Sequence, residues 1–289
     1  MSNAIHLLPN CMSTRFVDAV NDSSRWHLTR VPPEEVGGYC TPRKSAEDDA
    51  TITYHYGNLI DDPIYMAHEL GHLVSDDLLN AAGYNYQMAP AHIIEIPAFF
   101  AQHLIYDYLI NHGPMQLRAA AAAHLRKEMR SQFVDIAIGA AAQDSEKVVH
   151  MGTQAIEDSF AASMQDWFGN GWRNHFKADQ VAQCISDPVA RDETIRGFLH
   201  KHATASFLAM TLYKIHKNLS RETSETLVAT IFGRVGPYVA DDLFALIGVR
   251  GRQQIAKFMK ETVRTASGAF QQSTPPKPNS YGQIHALEP

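Results

Sequence analysis

Asp61-Asp62-Pro63-Ile64-Tyr65-Met66-Ala67-His68-Glu69-Leu70-Gly71-His72-Leu73 is the stretch on which the reading of the whole chain turns. Two acidic residues followed by proline form a helix start, because proline's missing N–H costs nothing in a first turn. Ile64, Leu70, Leu73 and Leu78 then recur at helical spacing. Ala81-Ala82-Gly83-Tyr84-Asn85 ends the helix. Inside it lies His68-Glu69-Leu70-Gly71-His72. Four helical residues advance about 400° and ~6 Å, so His68 and His72 share one face, one turn apart. Two imidazoles so placed can hold one zinc ion at ~2.0–2.1 Å each. Glu69 sits about 100° around the helix. It is poorly aimed at a metal held by the histidines, but placed to reach a water on it, whose pKa zinc lowers toward ~7. The spacing supplies two metal ligands and one general base. A chance match to the pattern would occur in roughly three of a hundred chains of this composition, with two surface histidines as its bland meaning. The helical context argues against chance.

A catalytic zinc needs a third protein ligand and one open position. Glu95 is a lone carboxylate in His92-Ile93-Ile94-Glu95-Ile96-Pro97-Ala98-Phe99-Phe100. A carboxylate buried among apolar residues needs a cation, a donor or a metal. The loop from about Ala81 to Pro90 is long enough to turn a second helix, Ala91 to Asn111, back antiparallel to the first. Pro97 inside that helix predicts a kink or a late start. Glu95 is the preferred third ligand, with His92 and His103 as rivals. Asp76, four residues beyond His72, reads either as an acceptor for an imidazole N–H or as part of a solvated face.

The rest of the chain frames this pair of helices. Trp26 to Val31 and Thr51 to Tyr56 are β-branched and aromatic and predict strands. Val36 to Cys40 reads as a glycine-marked turn, and Arg43 to Ala50 as an exposed hairpin loop. The alanine-rich run Arg118 to Arg130 predicts a solvated or spacer helix. Further helices fit Ser145 to Trp167, Pro188 to Leu199, Ala203 to Asn218, Glu222 to Arg234, and Asp241 to Thr265 with a break near Gly251. Gly169-Asn170-Gly171 reads as a turn. The expected architecture is mainly α, one helical domain with a small N-terminal β-sheet beside the helix of His68 and His72. It should span residues 1–266 as a single unit, with 267–289 a disordered tail rich in proline.

Composition narrows the function classes. The 289 residues carry 25 Lys plus Arg against 31 Asp plus Glu, a formal charge of −6. Such a chain is poorly suited to gripping nucleic acid without a local basic patch. No apolar run approaches the ~18–20 residues of a membrane helix. Cys11, Cys40 and Cys184 are too few and too scattered for a disulfide framework, and the start has no secretory pattern. A cytoplasmic location is therefore expected. No phosphate-binding loop, dinucleotide turn or CxxC pair is present. Of the other histidines, His150, His175 and His216 have no partners at ligand spacing.

Four segments in order carry a more specific signal: Gly37-Gly38-Tyr39-Cys40, Ile52-Thr53-Tyr54-His55-Tyr56-Gly57-Asn58-Leu59-Ile60-Asp61-Asp62, Ala67-His68-Glu69-Leu70-Gly71-His72, and Glu95-Ile96-Pro97-Ala98. Over Val36 to Tyr108 the chain resembles the thimet oligopeptidase and oligoendopeptidase F family of zinc metallopeptidases. The resemblance implies one Zn2+ bound by His68, His72 and Glu95, Glu69 as base, and a mainly α, zincin-like catalytic domain with a small substrate-binding sheet. A weaker match, His200-Lys201-His202-Ala203-Thr204-Ala205-Ser206-Phe207 and on to Tyr213, covers the family's segment that hydrogen-bonds the oxyanion and the substrate carbonyl. It implies His202 as a catalytic donor, with His200 a rival and Tyr213 a second donor. Phe207 stands where the family offers a tyrosine.

Other departures bear on function. The step from His72 to Glu95 is slightly shorter than in the family. The chain starts almost at the family's catalytic half, which implies a cleft that is open or closed by a partner subunit, as in a homo-oligomer. Ala98 and Gln102 replace family Ser and Glu, so the groups that orient the ligands differ. The leading expectation is a metalloendopeptidase or oligopeptidase acting on peptides. Two others stand beside it: a secreted protease acting on intact proteins, delivered to another cell, and a zinc-stabilised protein-binding module in which a fourth protein ligand, His92 or His103, closes the site.

Overall fold

The computed structural model describes residues 2–89, 91–143 and 193–233, with isolated positions between 158 and 165 and between 244 and 261. The expected helix Ser145 to Trp167 falls almost wholly outside the described residues, and the turn at Gly169 and the tail from Ser267 do so entirely. Two short helices, α1 (Ser2–Ile5) and α2 (Asn10–Asn21), lead into β1 (Trp26–Arg30), β2 (Gly37–Thr41) and β3 (Thr51–Tyr56). Then follow α3 (Asp62–Ala81), α4 (Ala91–His112), α5 (Met115–Gln143), α6 (Glu193–His216) and α7 (Arg221–Gly233). The architecture is mainly helical with one small N-terminal mixed sheet, as expected.

The sheet has the order β1-β3-β2, β3 running parallel to β1 and antiparallel to β2. Here one expectation is corrected. Residues 37–41 form an edge strand, not a turn, with Gly38 opposite Tyr54. A Cβ on Gly38 would come within 2.4 Å of the Tyr54 ring and 2.7 Å of Thr53 O. The glycine serves close strand approach, a use that looks the same in sequence as a turn. Residues 42–50 are the connection between β2 and β3, exposed from Lys44 to Asp49, whereas Arg43 and Ala50 at the ends of the expected exposed loop are half-buried and buried.

The start of α3 is built from its acidic pair, but not by a simple cap. Asp61 makes no capping bond. Asp62 accepts the Leu59 N–H at 2.6 Å and is buried beneath Tyr54. At the far end Gly83 takes φ +79°, and the Tyr84 N–H reaches back to Leu79 O at 2.8 Å, a glycine-terminated helix end. Ile64, Ala67, Leu70, Leu73 and Val74 of α3 are buried. Helix α3 packs on β2, β3, α2, α7 and above all α4.

Helix α4 starts at Ala91 and keeps Pro97 inside it, so the late start is not seen. It lies between α3 on one side and α5 and α6 on the other, which explains its run of buried residues Ile96 and Ala98 to Tyr106. The alanine-rich helix is not a spacer. Ala121 and Met129 are buried, and α5 packs against both α4 and α6. The two helices expected around residues 188–218 are one continuous α6 from Glu193, so His202 sits mid-helix. Phe100 of α4, stacked edge-on against Tyr213 of α6 and Phe232 of α7, joins these layers.

The contact between α3 and α4 is close at one point. A Cβ on Gly71 would lie 2.6 Å from Ala98 Cα, 2.7 Å from Pro97 O and 3.0 Å from Ala98 N. All three are backbone atoms, so nothing flexible can yield. Gly71→Ala should therefore destabilise the metal-free protein by about 1–3 kcal/mol, read as a lower urea midpoint with an unchanged m-value. A midpoint equal to the parent's would show that the helices are not locked here.

Candidate metal centre

Four side chains from three helices meet beside this crossing. On α3, His68 and His72 stand one turn apart, with their Nε2 atoms separated by 3.2 Å. From α4, Glu95 Oε2 lies 3.3 Å from His68 Nε2 and 3.6 Å from His72 Nε2. From α6, His202 Nε2 lies 3.4 Å from the same oxygen. Ligand atoms of His68, Glu95 and His202 all fall within 4.8 Å of one another. Bonds of ~2.0–2.1 Å around a tetrahedral zinc put ligand atoms about 3.3–3.4 Å apart. The four observed separations bracket that spacing.

The buried chemistry asks for a cation. Glu95 Oε2 is sealed from solvent and makes no hydrogen bond. A carboxylate in that state needs positive charge beside it. The imidazoles are turned so that Nε2 faces inward: His68 Nδ1 meets Gln102 Oε1 at 3.1 Å and His72 Nδ1 meets the Tyr86 hydroxyl at 2.7 Å. Nδ1 partners of this kind are what orient metal-binding histidines. His68, Glu95 and His202 form a group that could hold a metal ion, with His72 beside them.

Electrostatics divides the titratable groups. Burial opposes charge on Glu95, yet the three facing imidazoles outweigh it and bring the carboxyl down to about 2. Burial likewise disfavours the charged form of His68, but Glu95 beside it wins and raises its pKa. His72 goes the other way, down to about 4, because burial and the His68 and His202 charges together exceed the pull of Glu95. Burial pushes His202 down as well. Glu69 points toward the sheet, where its carboxylate accepts the Cys40 backbone N–H. Burial and the negative charge of Glu95 raise its pKa against the opposing effect of His68.

Tyr213 is not brought to this group. Its buried hydroxyl donates to Asp107 Oδ2 at 3.2 Å, some three turns along α6 from His202. The side chains of His92 and His200 lie outside the described residues. Asp76 is neither an imidazole acceptor nor solvated: it is buried and bound by Arg43 Nε at 2.5 Å. Arg43 also binds Asp77, to which Arg25 makes a two-pronged contact at 2.7 and 2.9 Å. This clasp ties the end of β2 to α3 and keeps Cys40 beside Glu69. His216, without ligand partners in sequence, is bound structurally by Ser224 Oγ at 2.5 Å.

Several participants were not singled out from sequence. Tyr86 comes from the α3–α4 connection, and no spacing rule reaches it. Glu128 of α5 accepts from Gln102 Nε2 at 2.7 Å. The four-residue step from His124 to Glu128, on an otherwise bland helix, was the available signal.

No protein-family model matches the chain, and no curated protein matches it. Two solved structures are similar in fold. One is described as a "putative peptidase" from Chlamydophila abortus, with TM-score 0.64 and 11% identity, covering 92% of this chain and 46% of that one. The other is described as a "putative oligoendopeptidase F" from Bacillus anthracis str. Ames, with TM-score 0.53 and 12% identity, covering 93% and 45%. The chain spans a little under half the length of these structures. At such identity the likeness speaks for the fold, and the chemistry rests on the site itself.

His103, the rival ligand, is buried elsewhere. With Gln132 and Ser206 it lines a small cavity between α4, α5 and α6, and its Nε2 makes no hydrogen bond. Burial lowers its pKa from 6.5 to about 4. Between these values the unfolded chain binds a proton that the folded chain refuses, so stability falls as pH drops through that window, by roughly 3 kcal/mol at most. His72 adds to the same window in the metal-free protein. His103→Leu should remove the His103 share, giving a flatter plot of urea midpoint against pH than the parent's. An unchanged slope would mean that His103 is not held neutral.

Proposed function

We propose that the protein is a zinc-dependent peptidase that hydrolyses peptide bonds with Glu69 as general base. The observation that carries this is the convergence of His68 Nε2 and His72 Nε2 on the unbonded, buried Glu95 Oε2, with the Glu69 carboxylate one residue along the same helix. His68, His72 and Glu95 would hold the ion. When bound, zinc polarises the scissile carbonyl and lowers the pKa of a water beside it toward ~7. Glu69 takes that water's proton and passes it to the leaving amine. Its raised pKa suits a group that must both accept and return a proton near neutrality. His202, a third exposed at its side chain, reaches the group from the opposite helix. Its proposed role is to steady the negative oxygen that forms as water adds to the carbonyl. Peptides are the proposed substrate class, and a fluorogenic nonapeptide compared with a folded protein separates oligopeptidase from protease on intact chains.

A second reading is favoured by one distance. His202 Nε2 is as near to Glu95 Oε2 as His68 Nε2 is, at 3.4 against 3.3 Å. Four protein ligands would close the site and make it a structural zinc anchor without turnover.

Glu69→Gln should retain one zinc per chain and lose about 10²–10⁴-fold in peptide turnover. Chelation should abolish the parent's turnover, and added zinc should restore it. Equal cleavage by parent and E69Q would remove Glu69 from the mechanism. His202→Ala distinguishes the two readings: turnover lost with zinc affinity kept supports catalysis, and affinity lost by orders of magnitude supports the closed site.

A further inference from the structure

The strand that meets Glu69 has little with which to grip the helix beneath it. In β2, Gly37 and Gly38 have no side chains, Tyr39 is 60% exposed, and Cys40 and Thr41 are small and half-buried. Among the described residues β2 pairs with β3 alone. Burial fixes a strand in proportion to the apolar area it covers, and β2 covers little. Yet the Cys40 N–H must stay on the Glu69 carboxylate if that group is to keep one aim.

What holds β2 down is charge. Two residues past its end, Arg43 Nε binds Asp76 Oδ2 at 2.5 Å and Arg43 Nη2 binds Asp77, both on α3. Asp77 is shared with Arg25, whose Nε donates to Ala50 O at 2.8 Å, so the connection between β2 and β3 is gripped at both ends. The Asp76 side chain is 1% exposed, and its Oδ1 makes no hydrogen bond. A buried ion pair with an unsatisfied oxygen is a poor source of stability, since apolar side chains of similar size do as well or better. What a planar guanidinium spanning two adjacent carboxylates supplies is a fixed direction. That direction sets where the chain leaves β2, three residues after Cys40.

We infer that Arg43 is a positioning residue that aims Glu69: by binding Asp76 and Asp77 it holds β2 against α3 and keeps the Cys40 N–H on the Glu69 carboxylate. This rests on the reading of Glu69 as general base, but the link from Arg43 to the Cys40 amide concerns the protein alone. A base that takes a proton from one atom and returns it to another depends on such placement.

The test uses the full chain with the pair replaced as a unit. R43M/D76L removes both charges, so no buried carboxylate is left unpaired. It also leaves the contact of Gln87 Nε2 to the backbone carbonyl of residue 43 in place. R43K keeps a charge beside Asp76 without the fork, and is read in the same way if the double variant does not fold. Two quantities are read. One is hydrogen exchange of the Cys40 amide in the metal-free protein, beside that of buried α4 amides such as Phe100. The other is kcat of the zinc-loaded protein, in the parent and in an E69Q background. Without the clasp the Cys40 amide should exchange at least about tenfold faster while the α4 amides hold their rates. In the parent background kcat should fall roughly 10–100-fold with KM and zinc affinity kept. In E69Q the same substitutions should cost nothing further, because the effect passes through Glu69. Unchanged Cys40 exchange overturns the proposal, and so does a kcat that survives the loosened strand. An equal loss of kcat in both backgrounds also overturns it, because that marks a merely structural role. A parent that binds zinc but cleaves no peptide sinks the peptidase reading instead, and amide exchange alone then decides the positioning link.

Discussion

The backbone contact at Gly71 is the constraint on which the candidate site depends. Two imidazoles on one helix define a direction, not a coordination sphere. A third ligand must arrive from another helix, and a carboxylate side chain is short. The absence of a side chain at Gly71 lets the backbone of Pro97 and Ala98 come against α3. Glu95 lies just ahead of that contact on α4, so its carboxylate is delivered to the His68–His72 face. Packing density leaves little slack in such a crossing.

Burial then gives the assembled group its electrostatic character. In water a carboxylate and three imidazoles would be a weakly interacting cluster. Here Glu95 Oε2 has neither solvent nor a hydrogen-bond donor. The low-dielectric surroundings strengthen its pull on the facing nitrogens and make any missing positive charge costly. Glu69 differs because it points to the sheet. The Cys40 N–H and the Arg43 clasp set its environment, so two glutamates on facing helices come to opposite states: Glu95 driven down, Glu69 raised.

A second layer of polar contacts binds the helices that carry the ligands to those that do not. Tyr86 bonds His72 from the α3–α4 connection, and Gln102 bonds His68 from α4. The line from Gln102 through Glu128 and Gln132 to Ser206 crosses α4, α5 and α6. Buried polar lines of this kind are stable only when each member is satisfied, which makes them specific about geometry. Helix α5 thereby has a part in the site although its composition suggested only a spacer.

Local physics was legible along the chain. The helix of His68 and His72, its start at the Asp61–Asp62–Pro63 step, its end at Gly83, the strands β1 and β3 and the carboxylate at Glu95 all follow from propensity, period and the cost of burying charge, and each involves residues close in sequence. Elements whose meaning depends on distant neighbours were misread. Gly37-Gly38 looked like a turn because a glycine needed for close strand approach has the same signature. The alanine-rich helix looked solvated because small residues reveal nothing of what they touch. Tyr213 belonged with the site by its segment, but the pitch of α6 carries it to Asp107. Which of the 15 histidines would meet, and which acceptors would orient them, was settled by helix crossings and buried hydrogen bonds, because those interactions join residues that the chain separates by tens to more than a hundred positions.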